Sequence, residues 1–88
     1  MRDVNTLIKL VKLDAQVKKL EVEIEDLENF LDVLDDKVQT YETSAPEIAE
    51  IAAKAYNEFD LKRIELELRK NHLEKEILHI EYEAAIAE

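Results

Sequence analysis

Chemistry at a protein surface needs donor groups that share one face, and residues 65–83 hold the best-ordered set in this 88-residue chain. Glu65, Arg69, His72, Glu76, His79 and Glu83 follow one another at steps of four and three, so on a helix they form one ladder. Within it, Glu76-Ile77-Leu78-His79 reads Glu-x-x-His, which sets a carboxylate beside an imidazole. Repeated on facing helices of a bundle, that pair can hold metal ions. His72, Glu76 and His79 are therefore the metal candidates, and a metal-binding four-helix bundle is the third functional reading. Two features count against it. In the heptad frame developed below, Glu76 and His79 flank the apolar seam. The stretch of a hairpin facing them supplies Lys9 and Lys12, where a di-metal site needs a carboxylate. A charge-laced solvent face with i,i+4 pairs is the expectation, with no metal or other cofactor assigned.

Other chemistry finds less support. The hydroxyls Thr40, Thr43 and Ser44 cluster with no histidine near in sequence, so no activated nucleophile is expected. The chain has no glycine for a phosphate-cradling loop and no cysteine for a thiolate site or a disulfide. Tyr41, Tyr56 and Tyr82 stand at seam spacings and read as core-edge residues. The expectation is a protein that is not an enzyme and has no catalytic residues.

Composition points to long amphipathic helices, with 39% charged and 47% hydrophobic residues and a single proline. Lys9 and Lys12 interrupt the apolar run that a signal peptide requires, and no stretch is apolar for long enough to span a membrane. The expected setting is cytoplasmic, with no membrane partner. The net charge of −10 is uneven. Residues 1–19 carry five bases against two acids, and residues 20–50 carry eleven acids against Lys37 alone. Direct binding to nucleic acid, which needs a basic footprint, is not expected.

The elements that must position these groups are two helices in a single domain, residues 1–88: the first about 3–42, a turn about 43–45, the second about 46–87. Leu10, Leu13, Val17, Leu20, Ile24, Leu27, Leu31, Leu34, Val38 and Tyr41 alternate at steps of three and four, a heptad seam. Asp3 is the expected N-cap of this helix. Asp14, Glu21, Glu28 and Asp35 flank the seam, so the helix wants a basic neighbour. A thinner stripe of Val4, Ile8, Val11, Ala15 and Val22 marks the opposite side of its N-terminal half, and Phe30 and Val33 lie off the seam.

Ser44 and Glu47 have the spacing of a capping box, with Pro46 in the first turn that follows. The second helix carries a seam of Phe59, Leu66, Leu73, Ile77 and Ile80, after a small-residue segment in which Ala49, Ala52, Ala53 and Ala55 allow close approach. Its second stripe, Leu61, Ile64, Leu68, Leu78 and Tyr82, is displaced by two residues, about 200° around the helix. Folding back at the break brings Glu21 and Glu28 near Lys62, Arg63, Arg69 and Lys70, and Lys9 and Lys12 near Glu74, Glu76 and Glu81. The fold expected is an all-α, antiparallel two-helix hairpin of coiled-coil-like helices, assembling as a dimer into a four-helix bundle. A kinked or opened, swapped rod is the alternative, since no Gly or Asn C-cap marks the end of the first helix.

A helix apolar on two sides needs two neighbours. The function read from the sequence is a structural or protein–protein interaction module whose partner is first of all itself. The alternative uses the acidic face formed by Glu21, Glu25, Asp26, Glu28, Asp32, Asp35 and Asp36. A rigid rod with such a face can imitate nucleic acid and occupy the basic groove of a DNA- or RNA-binding protein of restriction, CRISPR or transcription machinery.

Overall fold

The computed structural model describes residues 3–87, which form two helices, α1 (Val4–Tyr41) and α2 (Pro46–Ala87). Asp3 caps α1: its extended backbone turns the chain, and its side chain accepts a hydrogen bond from the Asn5 amide at 2.9 Å. The Thr6 hydroxyl donates to the other carboxylate oxygen at 3.3 Å. One exposed donor that helix geometry leaves without a partner is thus satisfied.

The chain reverses without a left-handed residue, since among the described residues none has positive φ. Glu42 keeps right-handed helical backbone (φ −60°, ψ −30°), and the Ala45 amide donates to the Tyr41 carbonyl at 2.9 Å. The chain turns over Glu42, Thr43 and Ser44 and reaches Ala45, the residue that Pro46 biases toward extended backbone. The Ala45 carbonyl then accepts from Ile48 (3.0 Å) and Ala49 (3.2 Å), which makes Ala45 the cap and Pro46 the first helical residue. Ser44 stands one position too early for the capping box expected from its spacing, and Glu47 occupies the second helical position rather than the third. Glu47 still places a negative charge in the first turn, where the helix dipole favours it.

The helices run antiparallel. Along α1 from Lys9 through Ile24 to Phe30, the facing residues descend α2 from Glu76 through Leu66 to Phe59. The result is a hairpin with principal extents of 66 × 15 × 13 Å. Its core is one seam. Leu10, Leu13, Val17, Leu20, Ile24 and Leu31 are buried from α1, and Leu27, Leu34, Val38 and Tyr41 are half-buried. From α2, Ala49, Ala52 and Leu66 are buried, while Leu73, Ile77 and Ile80 are half-buried. Leu20, Ile24 and Leu66 form the central cluster, with Leu27 and Leu73 packed against it. Ala49 and Ala52 draw the helices together near the turn, where a large side chain would hold them apart.

No described side chain is completely shielded from water; the best covered, Leu31, keeps 4% exposure. Two helices cover a seam from one direction each, so its margins stay wet. Phe59 lies at such a margin, 38% exposed, with its ring edge-on to Phe30 at 4.8 Å. That aromatic contact joins Phe30, which the heptad pattern leaves off the seam, to a residue the pattern places on it.

Candidate interaction faces

The hairpin has two outer edges, one per helix, and both are apolar. On α2, Leu61, Ile64, Leu68, Leu78 and Tyr82 all stay exposed, with Leu68, Leu78 and Tyr82 each at 65%. Ile86 continues the stripe. On α1, Val4, Leu7, Ile8, Val11 and Val22 are exposed on the side away from the seam. Leu7 and Ile86 were missed as members of these stripes. Their spacing from Val4 and Val11, and from Tyr82, is the helical signal that marks them. Ile48 and Ile51 are exposed near the turn.

Glu21, Glu25, Asp26, Glu28, Asp32, Asp35 and Asp36, the carboxylates expected to form an acidic face, are all exposed. Glu21, Glu25 and Glu28 line one wall of an open groove of about 370 Å³ beside the seam; Ile24 lies at its base, and Glu67, Lys70 and Asn71 line it from α2. A smaller groove of about 220 Å³ lies between Asp14 and Glu74, with Val17, Ile77 and Leu78. Carboxylates of both helices thus share one broad face of the hairpin.

Of the bases expected opposite these acids, folding back brings Lys70 to the groove of Glu21, Glu25 and Glu28. Arg63 turns to its own helix, bonding Asp60 at 2.8 Å and Glu67 at 2.9 Å. Its hydrogen bond to Asp60 raises the guanidinium pKa above its ordinary value; burial opposes the rise, and the hydrogen bond to Glu67 adds to it. Neighbours at i−3 and i+4 are held ready by the helix itself, whereas a cross-helix partner must be reached over the seam margin. Among the described residues, the ion pair that crosses between helices is Lys9 with Glu76 at 3.7 Å.

The Glu-x-x-His ladder does not converge. Glu76 is engaged by Lys9, and the His79 Nε2 lies 3.1 Å from Glu83 on an exposed surface. His72 is exposed as well. Among the described residues no group of three or more acids and histidines is gathered closely enough to hold a metal ion. No described helix is long and apolar enough to cross a membrane.

Compared with models of known protein families, with curated proteins and with solved structures, the chain gives no match.

Proposed function

We propose that this chain is a non-enzymatic structural or interaction module of the cytoplasm that works by associating with copies of itself through the outer edge of α2. The observation that carries the reading is that stripe: Leu61, Ile64, Leu68, Leu78 and Tyr82 lie exposed on the side of α2 turned away from its own seam. Covering a residue of this size is worth roughly 1.5 to 3 kcal/mol. Folding leaves that free energy unused, and a chain this short gains from a partner's surface. The smallest product is a pair of hairpins, a unit of four helices. Sedimentation equilibrium over a wide concentration range tests it, with an average mass of twice the 10.3 kDa chain or more as the expected result. A folded monomer at every concentration ends the proposal.

A second reading is favoured by the seven exposed carboxylates and by the groove that Glu21, Glu25 and Glu28 border. In it, the acidic face holds a basic protein, imitating the charge of a nucleic acid. Capture of such a partner should weaken with salt and be lost when Glu25, Asp26, Asp32 and Asp36 are changed to lysine, while helicity and oligomer mass stay unchanged. Capture that survives the reversal rules this face out.

A further inference from the structure

We infer that the face covering α2's outer stripe is the outer stripe of α1 from a second copy, packed antiparallel in the register of the chain's own seam. The inference rests on the self-association proposed above and adds which surfaces meet. Its basis is a displacement shared by both helices. In the seam, Ile24 packs with Leu66. Two residues before Ile24 stands Val22, and two residues after Leu66 stands Leu68, both exposed. In the same register Leu10 stands across from Ile80, and the same displacement leads to Ile8 and Tyr82, again both exposed. Val4 and Ile86 continue the series, and Leu78 lies beside Val11.

Because α1 shifts backward and α2 forward, the two outer stripes keep the spacing that the inner stripes have to each other. Ala15, the smallest member of α1's stripe, falls across from Lys75, which interrupts α2's. Charge on one of the two broad faces favours the same pairing. On the face marked by the Lys9–Glu76 pair, Lys12 and Lys19 border α1's stripe, and Glu76 and Glu83 border α2's, so base meets acid there.

Joining unlike edges makes the contact heterologous. On each helix the outer stripe lies about 200° from the seam, so a hairpin's two edges point in nearly opposite directions. Each added copy therefore offers a fresh edge, and the pair of hairpins is the repeating step of a larger ring or ladder.

The test uses two full-length variants altered only at exposed positions. Ile8→Glu/Val11→Glu disables the α1 edge, and Leu78→Glu/Tyr82→Glu disables the α2 edge. Wild-type protein should sediment above the mass of a dimer. Each variant alone should be a helical monomer, and an equimolar mixture should give a one-to-one heterodimer and nothing larger. If the α1-edge variant still dimerises alone, α2 stripes pair with each other: self-association stands and this register falls. The register also falls if wild-type protein associates but the mixed variants stay apart. A wild-type monomer at all concentrations ends both proposals. Should either glutamate variant lose helicity by circular dichroism, glutamine at the same positions repeats the experiment without added charge.

Discussion

Leu66 and Leu68 are the same residue on the same helix, two positions apart, and one is 7% exposed while the other is 65% exposed. The seam and the outer edge of the hairpin differ in this way throughout. Both consist of Leu, Ile, Val and Tyr at helical spacing, and both run the length of the open half of the molecule. Hydrophobicity therefore does not decide which stripe is the core; the presence of a second helix does. The seam has that helix by covalent connection through the turn, at an effective concentration no separate chain matches. The outer edges have to find theirs in another molecule.

Exchanging the two leucines one at a time gives the largest expected difference. Leu66→Ala removes a member of the central cluster and should lower stability by about 2 to 5 kcal/mol, read from thermal or urea unfolding followed by circular dichroism. At concentrations where the protein is monomeric, Leu68→Ala should change the same unfolding curve by less than about 0.5 kcal/mol. Its effect should appear in sedimentation instead, as a weaker association. Equal losses for the two variants in the monomer would erase the distinction between seam and edge.

The margin between the regions is the next point to probe. Phe30 and Phe59 meet there, and an aromatic pair of this geometry contributes about 0.5 to 1.5 kcal/mol beyond its buried area. A double-mutant cycle with Phe30→Leu and Phe59→Leu should recover a coupling of that size. Independent effects would place both rings with the outer edge.

Helix ends come third. Asp3→Ala removes a cap with two hydrogen bonds and should cost about 1 kcal/mol, whereas Ser44→Ala, one residue outside its helix, should leave the melting curve unchanged. The smallest effect belongs to the seam-crossing ion pair. Lys9 is exposed and Glu76 only half-buried, so Lys9→Met should shift stability by less than about 1 kcal/mol, and high salt should abolish even that.

Much of the hairpin is legible in the chain before any coordinates. The ten α1 positions alternating from Leu10 to Tyr41 are all buried or half-buried, because helical periodicity alone puts them on one side. Pro46 announces a helix start, since its ring fits the first turn and nowhere deeper. The exposed stripes, too, follow from spacing. Local choices were harder to read. Ser44 and Glu47 have the spacing of a capping box, yet α2 begins one residue later and the cap passes to Ala45. Arg63, expected to face the acids of α1, is held by Asp60 and Glu67 of its own helix, which are already in place.

By itself, then, the sequence determined two long helices, the site of the break between them and the two apolar stripes on each. Periodicity and backbone chemistry act within a few residues, and those features need nothing more distant. Tertiary structure decided that the chain folds back at Thr43-Ser44-Ala45 without a glycine, and hence which stripe of each helix became the seam. That choice depends on closing a short connection so that residues as far apart as Lys9 and Glu76 meet, which no local pattern specifies. Once one stripe of each helix is buried against the other, the remaining stripe is left facing outward.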